Sequence, residues 1–259
     1  MVAKLTGTMW LRELRSDADP RTVLVCFPPG GGSVTAYRAF AQRFDSGTAV
    51  FGVQYPGRQD RIGEAPVTEL GQLVDPAVQD VLRWPASVPV AIFGHSMGAT
   101  VAYEAARSLE AAGRSVSHLF VSGRPAPGFD EPGRLHEGPD DGLIGQLELL
   151  ANDPEPVRML RAEPGLAELV LPAVRADYQA VETYRHRPGD PLRCPITAMA
   201  STADPTMSED QVGEWRGYTV AEFASATFPG GHFYLDLDEN VSAVAQLVAS
   251  RLAGTYSRK

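Results

Sequence analysis

The sequence predicts an α/β fold, a mainly parallel sheet covered by helices on both faces. Three observations carry that reading. Short β-rich runs alternate with helical patterns along most of the 259 residues. One apolar run, residues 88–93, passes directly into Gly94-His95-Ser96-Met97-Gly98 and then into a helix-like segment at 99–112. The alternation breaks once, across residues 125–194, where no strand is legible.

Taken in order, Thr22–Phe27 reads as a buried strand, because apolar and β-branched residues follow one another without interruption. Pro28-Pro29-Gly30-Gly31-Gly32 ends it, and residues 37–44 are helix-like. Residues 49–55 form the next strand, and 69–84 a helix in which Pro76 marks a start or a kink. Residues 89–93 and 99–112 flank the Gly-x-Ser-x-Gly turn. Further strands are expected at 118–122, 196–200 and 221–228, and further helices at 209–215 and 240–252.

The strandless stretch opens with Pro125, Pro127, Gly128, Pro132, Gly133, Gly138 and Pro139. Helical patterns follow at 143–150, 157–161 and 166–184, the last carrying Leu166, Leu169, Val170, Val174 and Tyr178 at helical spacing. A single crossover helix needs far less chain. Residues 125–194 therefore read as a helical lid inserted into one domain spanning 1–259. Leu166, Leu169, Val170 and Val174 are expected to line one wall above Ser96.

Composition narrows the function. Hydrophobic residues make up 44% of the chain, enough for a substantial core. Lys and Arg number 23 against 32 Asp and Glu, and the resulting charge of −9 argues against nucleic acid and anionic membranes as partners. Met1 to Asp17 mixes Lys4, Arg12, Glu13 and Arg15 among short apolar stretches, so no secretory signal is read there. The longest near-apolar stretch, 88–106, is interrupted by His95, Ser96 and Glu104 and is no membrane span. Cys26 and Cys194 make no disulfide framework and read as buried free thiols. The expected compartment is the cytoplasm.

A serine hydroxyl needs a base to take its proton and a group to orient that base. A sharp strand-to-helix turn presents the serine, which makes Ser96 the candidate nucleophile. Of the five histidines, His95 adjoins the nucleophile and is assigned to packing beside the turn. His118 starts a strand, while His136 and His186 fall in the insertion, where solvated surface positions are expected. His232 follows a strand and the breaker Pro229-Gly230-Gly231, which makes it the candidate base. Asp204 follows the strand at 196–200 and precedes Pro205, so it is the candidate acid. Asp210 is expected within a helix facing solvent, and Asp236 and Asp238 follow His232 too closely. The oxyanion hole is expected from the Met97 amide and from Gly30, the first residue after Pro28-Pro29 with an N–H to offer. A phosphate cradle is not supported, because no Gly-Lys-Ser/Thr follows the glycines. No metal-ligand spacing is present, so no metal and no cofactor are expected.

Several stretches together carry a family likeness. They are Cys26-Phe27-Pro28-Pro29-Gly30-Gly31-Gly32, Gln54-Tyr55-Pro56-Gly57-Arg58-Gln59-Asp60-Arg61, Phe93-Gly94-His95-Ser96-Met97-Gly98-Ala99 and Val121-Ser122-Gly123-Arg124. Cys194-Pro195-Ile196, Asp204-Pro205 and Gly230-Gly231-His232-Phe233 continue the series. The chain resembles the type II thioesterases, discrete α/β-hydrolase enzymes that accompany modular polyketide and nonribosomal peptide synthases. The resemblance implies the α/β-hydrolase fold and hydrolysis of acyl thioesters held on the phosphopantetheine arm of acyl or peptidyl carrier proteins. It implies no cofactor beyond that partner-borne arm, and a monomer is expected. Relatives fused to synthases often carry the acid after the strand that here ends Phe120-Val121-Ser122-Gly123. No Asp stands there, which favours Asp204. Relatives often show Ala where this chain has Gly30, a change that leaves the backbone donor intact. Arg58 and Arg61 are expected to hold a solvated turn through Asp60 or Glu64, in preference to touching a phosphate or an acidic carrier. Two other readings of the same residues are a small-molecule carboxylesterase and a hydrolase-fold binding module without chemistry.

Overall fold

The computed structural model describes residues 5–130 and 133–256. Met1, Lys4 and Pro132, named above, lie outside them. The strands are β1 (Leu11–Arg15), β2 (Thr22–Phe27), β3 (Thr48–Val53), β4 (Val90–His95), β5 (Val116–Ser122), β6 (Ile196–Ser201) and β7 (Phe223–Phe228). They form one sheet in the order β1-β3-β2-β4-β5-β6-β7, in which only the β1–β3 pairing is antiparallel. The helices are α1 (Arg38–Ala41), α2 (Leu70–Leu82), α3 (Met97–Ala111), α4 (Asp140–Leu150), α5 (Glu155–Ala162), α6 (Pro164–Glu182), α7 (Glu209–Gly213) and α8 (Asp238–Tyr256).

Strand periodicity explains the two cores. In β2, Val23, Val25 and Phe27 point to one face, where α2 and α3 pack, while Leu24 and Cys26 point to the other, under α1 and α8. In β4, Val90 and Ile92 take the first face and Ala91 and Phe93 the second. Both strands are buried on both sides, so their sequences are apolar throughout rather than alternating. Cys26 and Cys194 are buried free thiols, and burial pushes the pKa of each up.

Three expectations change, and one strand is new. Strand β1 is an edge strand whose sequence, Leu-Arg-Glu-Leu-Arg, hides its nature: Leu11 enters the core while charged neighbours face out, as sheet edges require. Helix α2 fills most of the expected 69–84 stretch with Pro76 in its interior, which removes the proline as a start. Residues 37–44 open with a 3-10 turn at Val34–Tyr37 before the short α1. Between β5 and β6 the chain does form helices α4 to α6, but Leu166 and Leu169 are 37% and 58% exposed and stand outside the cavity beside Ser96, while Val174 is buried near Gly31 and does not line it either. Val170 packs into a small cluster of the insertion's own, with Ile144, Leu160 and Leu171. Spacing identified an apolar helix but not which neighbour each side would meet.

Candidate active site

Strand β4 lies between β2 and β5, and its C-terminal end delivers the Gly94–Gly98 turn. Ser96 has φ 54 and ψ −126, a conformation that costs a non-glycine residue about 1–3 kcal/mol and persists only when its surroundings enforce it. They do so here. The Ser96 N–H donates to the Ser122 carbonyl at 2.8 Å. A methyl on Gly94 would stand 2.1 Å from the Gly98 carbonyl oxygen, and one on Gly98 would stand 2.0 Å from that of Phe27. Only glycine lets the turn close this tightly against the sheet.

The three polar candidates meet at the same sheet edge. Ser96 Oγ lies 2.9 Å from His232 Nε2, and His232 Nδ1 lies 2.8 Å from Asp204 Oδ2. These distances suit a serine donating to Nε2 while Nδ1–H donates to the carboxylate. Asp204 follows β6 and also accepts from the Thr206 N–H at 2.9 Å and its hydroxyl at 2.7 Å. Burial raises its pKa, but hydrogen bonds from His232 and Thr206 and the His232 charge outweigh this and hold the carboxyl below its usual range. His232 follows β7 on a loop fixed at three points. Ser201 Oγ donates to the Gly231 carbonyl, Ala203 N–H to that of Gly230, and Asn240 Nδ2 to that of Pro229. Asp210 lies in α7 and is exposed, as expected.

Ser96, His232, Gly30 and Met97 face a cavity of about 90 Å³. Its cover comes from the insertion: Leu147 and Leu150 of α4, and Tyr178, Val181 and Glu182 of α6. A methyl on Gly30 would meet Met97 Cβ at 4.0 Å and Asp177 Cβ at 3.7 Å, ordinary contacts, so an alanine fits there without moving the backbone. A larger groove of about 880 Å³, walled by charged residues of α2, α3 and the 183–193 segment, contains none of these groups. Among the described residues, no three His, Cys, Asp or Glu side chains gather as metal ligands, and no helix is long and apolar enough to cross a membrane.

The remaining histidines are structural, though two sit differently than expected. His95 is buried, with Nδ1 2.9 Å from Ser122 Oγ, which in turn lies 2.7 Å from the Tyr234 hydroxyl. Burial and then the His232 charge push its pKa down to about 3, so it stays neutral beside the candidate base. His118 pairs with Thr197 Oγ1 at 2.8 Å and stacks on Phe120, and burial brings its pKa to about 4. His136 is not solvated: its Nδ1 meets the buried Glu182 carboxylate. His186 packs between the Tyr103 and Tyr218 rings. Spacing assigned both to the surface because it carries no record of which long-range carboxylate or ring a loop residue finds.

The Arg58 turn also departs from expectation. Arg61 does pair with Glu64 at 2.6 Å, but Asp60 pairs with Arg12. Arg58 is buried and makes a two-pronged bond to Asp177 of α6, at 2.5 and 2.8 Å. Burial lowers the Arg58 pKa, yet the Asp177 bonds and charge overcome it and raise the guanidinium above its ordinary value. Asp177 and Glu182 escaped the sequence reading. The available signal was that Asp177 and Glu182 alternate with apolar residues such as Val174, Ala180 and Val181 on one helix, where a buried charge has to find a partner.

A parallel sheet whose central strand ends in this turn, with histidine and aspartate brought in by later strands, defines the α/β-hydrolase class. The thioesterase domain profile matches residues 22–252, and the chain belongs to that family. The thioesterase PikA5 of Streptomyces venezuelae is 38% identical over 229 residues, covering 88% of this chain and 80% of that protein. Among solved structures, the type II thioesterase BorB from the borrelidin biosynthetic cluster superposes with a TM-score of 0.82 at 39% identity, covering 96% of this chain and 100% of that one. RedJ, a thioesterase from the prodiginine pathway of Streptomyces coelicolor, gives 0.81 at 33% identity, covering 93% and 91%. The protein is a thioesterase, an enzyme that cleaves thioester bonds.

Proposed function

We propose that the protein hydrolyses acyl groups from the phosphopantetheine arm of acyl or peptidyl carrier domains of a polyketide or nonribosomal peptide synthase, with Ser96 as nucleophile. The observation that carries this reading is the unbroken series Ser96 Oγ, His232 Nε2, His232 Nδ1 and Asp204 Oδ2, with links of 2.9 and 2.8 Å. In this reading His232 takes the hydroxyl proton as Ser96 Oγ attacks the thioester carbonyl. The oxyanion forms against the Met97 and Gly30 amides, at the N-terminus of α3, whose dipole favours negative charge. Collapse breaks the carbon–sulfur bond, and His232 returns its proton to the departing thiolate. Water, activated by the same histidine, then releases the acid from the acyl-Ser96 ester. Asp204 holds the imidazole tautomer and stabilises the imidazolium.

The carrier-bound substrate is supported by relatives. The type II thioesterase YbtT comes from a pathway that joins both synthase types, and GrsT of Aneurinibacillus migulanus, 32% identical, is a gramicidin S biosynthesis protein. The reading needs no cofactor other than the arm the partner brings, and helices α4 to α6 act as the lid over the acyl site.

The test compares one acyl group presented as a carrier-bound thioester and as a simple oxygen ester. Preference for the thioester is expected, and Ser96→Ala should lose about 10⁶ in kcat while folding normally. A Ser96→Ala protein within a few fold of the wild type would remove the nucleophile, and a preference for the oxygen ester would remove the substrate class.

A further inference from the structure

The backbone that carries Gly30 is a run of three glycines, the most conformationally free stretch a chain can have. Its own turn fixes one point, the Gly32 N–H donating to the Pro29 carbonyl at 2.9 Å. The next two are fixed from outside. Gly31, at φ 71, donates its N–H to Asp177 Oδ2 at 2.7 Å, and Arg58 Nη1 donates to the Gly32 carbonyl at 3.1 Å. Arg58 Nη1 reaches the same Asp177 Oδ2 at 2.5 Å. One carboxylate oxygen therefore ties together the glycine loop, the Arg58 turn and helix α6. Val174, one turn earlier on α6, backs the contact: a methyl on Gly31 would stand 3.2 Å from its Cγ2.

This is an expensive way to hold a loop together. Both side chains are almost fully buried, at 8% and 0% exposure, and a buried ion pair rarely stabilises a fold more than apolar residues of the same shape would. What it does provide is direction. The forked guanidinium fixes the carboxylate in two places, and the carboxylate fixes the Gly31 amide. Asp177 also lines the cavity beside Ser96, where an unpaired negative charge would repel a developing oxyanion. Arg58 neutralises it.

We propose that Asp177 and Arg58 are positioning residues that set the Gly30 amide for the oxyanion and make that setting depend on α6 being seated. The inference rests on the reading of Ser96 as nucleophile and Gly30 as donor. When α6 lifts, Asp177 leaves with it, and the glycine loop loses the contact that orients it. The lid and the oxyanion hole then form together, so hydrolysis waits for the cover to close.

The test is the double variant Arg58→Met/Asp177→Leu, which removes both charges and every hydrogen bond the pair makes to the glycine loop. It should melt close to the wild type and lose about 10–100-fold in kcat, the scale of a displaced oxyanion donor, with little change in KM. Affinity for a trifluoromethyl ketone analogue, which forms an oxyanion on the serine, should fall by a similar factor. The pH dependence of kcat/KM should not move, because His232 and Asp204 are untouched. In the wild type, the Gly31 amide should exchange with deuterium together with the amides of α6, and in the variant it should exchange faster than they do. If the double variant does not fold, Arg58→Lys takes its place with the same readouts, since a lysine cannot span both Asp177 oxygens. A folded variant with wild-type kcat and ketone affinity overturns the proposal, as does a loss confined to KM. Persistent activity in Ser96→Ala would instead overturn the reading beneath it.

Discussion

The sheet edge that carries Ser96 and the helical insertion above it are held by different forces. Every residue of β4 is buried, and its side chains pack into two cores at once. Helix α5, by contrast, buries only Leu160. Its neighbour α6 packs more deeply, burying Leu171, Val174, Ala180 and Val181, and polar contacts tie the outer turns of the insertion together. Arg161 bridges to Asp141 at 2.7 Å and also meets Glu148. Arg175 donates to the His136 and Gly138 carbonyls, and Glu182 accepts from the Leu135 and His136 amides. Apolar packing tolerates little displacement, whereas exposed ion pairs contribute little and reform easily. The difference teaches that apolar packing from both faces fixes the strand that carries Ser96, while ion pairs shape much of the outer surface of α4 and α5.

That contrast is open to direct challenge. The largest effect is expected at the sheet edge, where Asp204→Asn should lower kcat by about 10⁴ by favouring the wrong histidine tautomer. The same change at the exposed Asp210 should leave steady-state rates alone, and the opposite result would put the acid in α7. Packing comes next. In urea titrations Phe93→Ala should cost about 3–5 kcal/mol, while Leu160→Ala, in the small cluster of the insertion, should sit near 2 kcal/mol. Equal losses would mean the small cluster around Leu160 is packed as tightly as the core around Phe93. The smallest effect concerns selectivity. Leu147→Trp, which intrudes on the cavity, should shift the ratio of kcat/KM between short and long acyl groups by about tenfold, the scale of a methylene or two in an apolar pocket. Leu169→Trp, on the exposed side of α6, should leave that ratio unchanged. A shift from Leu169→Trp alone would move the acyl wall to the outer face.

Much of the sheet was legible because its signals are local. The apolar run in β2 and the strand–turn–helix passage around Ser96 each announce themselves within a few residues. Ser96, His232 and Asp204 were legible for the same reason, since each follows its own strand and each strand ends at the same edge. The structure brings the three together as read. What stayed hidden depends on partners far away in sequence. β1 is recognisable only once β3 is beside it. Nothing near Arg58 in the sequence reveals its partner, because that carboxylate lies 119 residues further along the chain. Leu169 was assigned to the pocket wall because helical spacing gives an apolar face no orientation relative to the sheet.

The turn around Ser96 has a consequence for the newly made chain. Its left-handed serine is held by the Ser122 carbonyl, and Gly98 rests against the Phe27 carbonyl, so the turn takes its form only after strands from three separate stretches have docked. The histidine arrives later still, behind the last strand of the sheet. As the polypeptide leaves the ribosome from its N-terminus, Ser96 emerges well before His232, which lies 136 residues further along. Until the loop behind β7 docks, the Ser96 hydroxyl has no imidazole beside it, and its 2.9 Å contact with His232 forms only once the sheet is complete.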